Sequence, residues 1–429
     1  MTKDLVADAK AISQQWLVEL DLRRLIEQRL AEVRMLDAGF GLDVVAIGKA
    51  AREMATATES ILGARVSRAL VICDRESAER EPIDTRVVVG EHPLPGEGSL
   101  SAGRSLVAFL DAETGARCTL FLISGGASSL CALPELPLDL ADMAGVWKAA
   151  LESGADITTL NKVRASTSQI AGGRILRHVR TELSYSLIMV DNVLPGAKWV
   201  ASGLTYEFSP SADEAAKLVA NLNIDDMALR ERLMSAFGRR GEAMATSITT
   251  LHENVVVAEP DLLLECARVE AKRRGYRVVE MGSEVHGDVR DVCARWSEVI
   301  KASSHGREPL CLIGVGEVTV RVLGSGSGGR CQEFAWLMAG SLAHLGRTSA
   351  FIARASDGRD FLEGVAGAWV DESTVRRAES LDIDWEQILV QHDSHRALDE
   401  VHQLLVGGHS GWNLCDVYVA TVEGDSRVG

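Results

Sequence analysis

LDVVAIGKAAREMATATESIL, Leu42–Leu62, decides the reading of the fold. Its first six residues are almost continuously apolar, the pattern of a strand covered on both faces of a parallel sheet. Gly48 then marks a turn, and Lys49–Leu62 reads as a helix. Working outward, ALVIC, RVVVG, CTLFLIS and YSLIMVD repeat the apolar signature, and Ser99–Leu110 and Leu138–Ser153 are helical segments among them. That βαβα order predicts a doubly wound α/β sheet. Residues 209–245 are polar, helical in pattern and without a strand, and read as a connection. A second α/β set follows: ENVVVAEP, YRVVEMG, LCLIGVG, VTVRVLG, SAFIARASD and CDVYVATV, with helices over Asp261–Arg274, Gly287–Ser303 and Gln332–Leu345. The expectation is two α/β/α domains with mainly parallel sheets, divided as 1–235 and 236–429, the C-terminal segment free to pack back on the first.

A chain of 429 residues exceeds the usual size of one core. The formal net charge of -16 disfavours nucleic acid and anionic membrane surfaces as partners. No N-terminal run resembles a signal peptide and no apolar stretch is long enough to span a bilayer, so a cytoplasmic setting is expected. The eight cysteines show no CxxC spacing; reduced, buried thiols are the simplest account and a zinc site is disfavoured.

Positive charge near a glycine turn is informative in so acidic a chain. In GVGEVTVRVLGSGSGGRCQE, Gly314–Glu333, an apolar strand, Glu317, a second strand and a glycine run lead to Arg330. A glycine loop entering a helix presents unpaired backbone N–H groups, so Gly328 and Gly329 are candidate anion binders. Arg330 adds a planar fork of donors. The plainer reading, a tight turn with a surface Arg, is equally open. Lys49 falls in the first turn of its helix, where a cation is disfavoured unless it meets an anion. LISGGASSL, Leu122–Leu130, places Ser124, Gly125, Gly126 and Ser128 at a donor-rich strand end. Asp191 and Asp357 each follow an apolar strand; either can hold magnesium or simply cap a turn. Asn161 and Arg164 lie three apart and share a helix face. The chain lacks the GK[ST] of a Walker loop, a GxGxxG after the first strand, and a GxSxG elbow.

Taken together, the segments resemble the glycerate 2-kinases of the MOFRL type. AIGKAAREM (46–54), GEHPLPGEGS (90–99), LISGGASSL (122–130), SGADITTLNKVR (153–164), GGR (172–174) and VASGLT (200–205) carry the resemblance. GYRVVEMGSEVHGD (275–288), GEVTV (316–320), GSGGRCQE (326–333) and SDGRDFLEGVAGAWVD (356–371) continue it. The resemblance implies two domains with an inter-domain cleft, and transfer of the ATP γ-phosphate to a hydroxyl of glycerate or a related small hydroxy acid, with Mg2+. It implies that Lys49, Arg330 and Asp191 are catalytic, and that Ser124, Gly125, Gly126, Ser128, Asn161, Arg164, Glu317, Gly328, Gly329 and Asn413 bind substrate or nucleotide. Asp191 and Asp357 are the implied metal ligands. Partners are thus ATP and a hydroxy acid, with neither nucleic acid nor membrane, and a homodimer is allowed.

Departures from the family pattern accompany the matches. A usual acidic cluster is replaced by Leu194, Pro195 and Gly196, a Thr position by Trp412, and a basic position by Ser327. Ser166 and Ala171 stand where a His and a Lys are usual, and Gly96 where an Asp is usual. Fewer carboxylates weaken a magnesium site, and fewer cations weaken anion binding. A homologue that binds a metabolite or nucleotide without phosphoryl transfer is therefore the alternative.

Overall fold

A computed structural model describes residues 3–33, 39–80, 85–191, 196–208, 210–222, 224, 226–243 and 248–425. The chain separates into two compact units. One comprises Leu22–Val190 and Leu194–Ala258; the other comprises Met1–Asp21, Asp191–Val193 and Glu259–Gly429.

The first unit is built on β1 (Leu42–Ile47), β2 (Val66–Cys73), β3 (Arg86–Val89), β4 (Cys118–Ile123), β5 (Leu183–Met189) and β6 (Leu251–Ala258). They pair in the order β3-β2-β1-β4-β5-β6, all parallel, as the apolar runs predict. Every residue of β1 and β4 is buried. The core joins Val45, Ile47, Leu70, Phe121 and Ile123 to helix and loop residues such as Leu106 and Ile175. Each such side chain contributes roughly 1.5–3 kcal/mol of burial. This strand order reverses direction between β1 and β4, and in an open α/β sheet ligands bind at that switch point, outside the carboxyl ends of the strands.

The second unit contains β7 (Arg277–Glu280), β8 (Val285–Asp288), β9 (Leu310–Thr319), β10 (Ser349–Ala355), β11 (Val365–Asp371), β12 (Leu404–Val406) and β13 (Asp416–Val422). Its order is β12-β11-β10-β13-β9-β7, with β8 also on β9. Here the expectation of a mainly parallel sheet is corrected. Only β7 and β8 run parallel to β9; the run from β12 to β9 is antiparallel. Burial on both faces produces the same apolar run in either direction, so composition does not reveal the sense of pairing. Beneath the sheet, Trp296, Phe334, Phe351 and Tyr418 meet edge to face at 5.0–6.1 Å, with Phe334 and Phe351 tilted at 4.8 Å.

Three further differences concern boundaries. ENVVVAEP, expected to open the second set, is β6 and pairs with β5. Its 251–258 span places the end of the first sheet beyond the expected division at 235/236, which falls inside the helix Met227–Ala243. The N-terminal helix Leu5–Gln14 belongs with the second unit, where it packs on β10 and β13. VTVRVLG is no separate strand: β9 runs through Glu317 to Thr319, and Val322 and Leu323 beyond it are exposed. The C-terminal β13 lies between β9 and β10.

Candidate functional site

At the switch point of the first unit, two backbone bonds and one to a side chain join the ends of β1 and β4. Ser124 N–H donates to the Ile47 carbonyl at 3.0 Å, and Lys49 N–H to the Gly125 carbonyl at 2.9 Å. The Ser124 hydroxyl accepts Ala50 N–H at 3.0 Å and thereby caps the helix Ala51–Leu62 from a neighbouring strand. Gly48 has φ +130, and a Cβ there would meet Ser124 Oγ at 2.2 Å, so only glycine fits. Lys49 therefore precedes the helix rather than lying in its first turn. Gly126, at φ +80, opens the short helix Ala127–Leu130; a Cβ on it would sit 3.3 Å from both Lys49 Cγ and His92 Cδ2. The lysine stem and the SGG turn are thus neighbours, as their spacing in the sequence does not reveal.

The helix Ile157–Ser166 carries Asn161 and Arg164 on one face, as expected. Asn161 is 2% exposed and accepts a 2.9 Å bond from the Ser202 hydroxyl. The Ser202 and Ser128 hydroxyls are 2.7 Å apart. Ser128, Arg164 and Ser202 line a cavity of about 10 Å³, and the Arg164 guanidinium stands 5.3 Å from the Trp147 ring centroid. Ser202 is not among the expected site residues. Its signal is conformational: Ala201 and Ser202 have φ +54 and +50, which non-glycine residues adopt at a cost of about 1–3 kcal/mol where function requires it. VASGLT offered only Gly203 as a hint of such a turn.

In the second unit the arginine expected to meet a phosphate is already engaged. Arg330 Nε donates to Asp416 Oδ2 at 2.6 Å, and Nη2 donates to Asp416 Oδ1 at 3.0 Å and Glu317 Oε1 at 2.6 Å. Asp416 is 1% exposed and also accepts from Tyr418 Oη at 3.1 Å. Burial opposes the guanidinium charge, but the two carboxylates outweigh it and hold Arg330 more firmly protonated than usual.

The helix after the glycine run also has an internal partner. The helix it enters, Arg330–Ala343, has the first-turn amides of Cys331 and Gln332 donating to the Asp360 carboxylate at 3.0 and 2.9 Å, and Gln332 Nε2 adds a 2.9 Å bond. The anion at this helix N-terminus is the protein's own. A Cβ on Gly329 would overlap Asp360 at 2.2 Å, and one on Gly328 would overlap Ser394 Oγ at 2.2 Å. Gly324 and Gly326 lie equally close to the Gln391 backbone, and Gly326 N–H donates to the Gln391 carbonyl at 2.8 Å. These glycines permit close packing. Burial and the nearby Asp416 push the Asp360 carboxyl up from its ordinary range. Asp360 and Asp416 escaped the list of expected residues because both act across the sequence, on a helix 28 and 86 positions away.

Asp191 and Asn413 do come together, Asn413 Nδ2 donating to Asp191 Oδ2 at 3.2 Å, and the Cys415 thiol lies 3.4 Å from the Asp191 carbonyl. Asp357 accepts Arg359 N–H at 2.9 Å in a local turn. Among the described residues no group of three or more His, Cys, Asp or Glu side chains is arranged to hold a metal ion. Asp191 and Asp357 offer hard oxygens, which suit a magnesium ion arriving on a triphosphate, since that ion needs only one or two protein carboxylates. Trp412 packs edge-on to Trp16 at 6.4 Å and is 5% exposed, so its bulk replaces a Thr in a packed contact. Leu194 and Pro195 lie outside the described residues. All eight cysteines are free and buried.

The family model described as Domain of unknown function (DUF4147) matches residues 8–237, and the model of the MOFRL family matches residues 310–416. The chain belongs to the DUF4147 family. Among its relatives is a glycerate 2-kinase of Pyrococcus horikoshii, 29% identical over 88% of this chain and 87% of the relative. A D-glycerate 2-kinase of Thermotoga maritima is 28% identical over 88% of this chain and 90% of the relative. A solved structure, that of the glycerate kinase of Thermotoga maritima, aligns with a TM-score of 0.82 at 25% identity, covering 98% of this chain and all of the other. No helix among the described residues is long and apolar enough to cross a membrane.

Proposed function

We propose that this chain is an ATP-dependent kinase that phosphorylates a hydroxyl of glycerate or of a closely related small hydroxy acid. The observation that carries the reading is the β1–β4 switch point, where Lys49 stands against the Ser124–Gly126 turn in a family whose relatives are named glycerate kinases. Phosphoryl transfer is chiefly positioning and neutralisation of charge, so a cation and a ring of donors are the required parts. Lys49 would neutralise the transferring phosphoryl group. Asn161 and Arg164 would hold the acceptor, and Asp191, oriented by Asn413, would align the attacking hydroxyl. Arg330 keeps Glu317 and Asp416 in place rather than binding phosphate itself. Asp191 and Asp357 are the carboxylates that would hold magnesium, whose charge would offset that of the triphosphate. A reducing cytoplasmic setting, in keeping with eight free thiols, belongs to the same proposal.

The alternative, a homologue that binds without transfer, is not favoured, because the lysine turn and the Asp191–Asn413 pair both stand. The test is ADP release from magnesium-ATP with D-glycerate and a panel of short hydroxy acids. Acid-dependent release is expected. A folded protein that binds ATP yet releases no ADP with any acid would overturn the reading.

A further inference from the structure

The fold balances its buried arginines, with one exception among the described residues. Arg174, 7% exposed, pairs with Glu135 at 2.7 Å and donates to the Ala171 and Ala165 carbonyls. Arg52, 6% exposed, donates to the Ser77 and Ala78 carbonyls. Arg354, 9% exposed on β10, has no carboxylate partner among the described residues. Its one hydrogen bond there runs from Nη2 to Gln14 Oε1 at 3.4 Å, and its Nε is buried without an acceptor. A buried charge in that state is strongly destabilising unless an anion joins it.

Its surroundings carry a second cation. Phe351, Ala353 and Ala355 of β10 join the aromatic core, so Arg354 faces the other side of the sheet, where the helix Leu5–Gln14 packs. Lys10 and Gln14 stand one turn apart on that helix. Lys10 Nζ is held 4.1 Å from the ring centroid of Trp369, on the adjacent β11. Burial pushes the Lys10 ammonium down and the Arg354 charge adds to it; Asp4 opposes, but its carboxylate caps the helix by accepting Ala7 N–H at 3.0 Å. The other cation over the Trp369 ring, Arg377, is balanced by Asp371 at 2.8 Å. Lys10 and Arg354 are thus neighbouring cations that share no anion, in a chain of net charge -16.

We propose that Arg354, Lys10 and Gln14 form a binding site for a small phosphate dianion, free or at the end of a metabolite. Two positive charges match a dianion, and the guanidinium fork fits two of its oxygens. The Gln14 oxygen now stands where the anion would bind. Gln14 is exposed, so its amide can turn and present N–H2 to the ligand instead. The site lies within the second unit, three positions before Asp357, and does not rest on the kinase reading.

Calorimetric titration of inorganic phosphate into the nucleotide-free full chain tests the site. A binding event should appear that persists in Lys49→Ala and weakens roughly tenfold to a hundredfold in Arg354→Met, with a smaller loss in Lys10→Gln. Methyl phosphate separates the two sources: comparable binding extends the ligand class to phosphate esters, and a preference for inorganic phosphate confines it to the free ion. Acetate should bind more weakly, and acetate binding as tight as phosphate overturns the dianion assignment. Urea unfolding adds a second readout. Without phosphate, Arg354→Met, which keeps the length and removes the unbalanced charge, should be at least as stable as wild type; phosphate should then stabilise wild type more than the variant. Marked destabilisation of Arg354→Met without phosphate would reveal an internal partner and overturn the inference. So would a wild type that binds no phosphate, or a phosphate event abolished by Lys49→Ala and untouched by Arg354→Met and Lys10→Gln. Each of these outcomes leaves the kinase reading standing.

Discussion

Two glycine turns in this molecule look alike in sequence and are built differently. IGKA at the end of β1 and GSGGR before the helix Arg330–Ala343 both join a strand or loop to a helix beside a cation. At the first, the Ser124 hydroxyl caps the helix and Lys49 stands next to a second glycine turn. At the second, Asp360 occupies the helix N-terminus and two carboxylates hold Arg330. The lesson is that the anion beside a donor-rich turn can be supplied by the fold itself, from residues distant in sequence.

This contrast sharpens under substitution. The largest effect is expected for Arg330→Ala, which strands the buried Asp416. Breaking such a pair costs roughly 2–4 kcal/mol here, less than a fully buried case because the guanidinium is 37% exposed. Urea unfolding should show that loss together with a loss of turnover; unchanged stability with lost turnover would instead make Arg330 a phosphate ligand. Lys49→Ala is the converse. Turnover should fall about 10²–10³-fold, as for loss of one group that stabilises transition-state charge, with stability within about 0.5 kcal/mol of wild type. Equal losses of stability in the two variants would erase the distinction between the turns.

A smaller effect is expected from pH. Glu270 in the second unit is 2% exposed and bonded to Arg273 and Arg274, which hold its carboxyl below the ordinary 4.5. A lowered folded-state value means the contribution is fully present above pH 4.5 and is lost as pH falls through the folded value. Glu270→Gln should therefore flatten the acid limb of the stability curve, and an unchanged limb would show that the pair contributes nothing. The smallest effect belongs to Leu323→Ser. Leu323 is 78% exposed beside the glycine run, so both stability and KM for ATP should stay within about 0.5 kcal/mol of wild type. A marked rise in KM for ATP would restore the run as a nucleotide contact.

Legibility in the sequence followed the range of the interactions. The strand–turn–helix units of the first sheet were readable because burial on both faces leaves an apolar run. The shared face of Asn161 and Arg164 was readable from helical spacing. The antiparallel run of the second sheet was not, because an apolar strand buried on both faces has the same composition whichever way its neighbour runs. Ser202 was hidden for a different reason: a positive φ in a serine has no compositional mark.

The sequence by itself determined the α/β class, the family, and the segments where chemistry gathers, since these depend on local periodicity and on turn residues that only particular conformations accept. Tertiary structure alone decided that the Arg330 charge is neutralised from within, that Asp360 fills a helix end, and that Ser128, Ser202 and Asn161 are joined by hydrogen bonds. Those facts depend on which distant side chains arrive within about 3 Å of one another, the range over which a hydrogen bond has its strength.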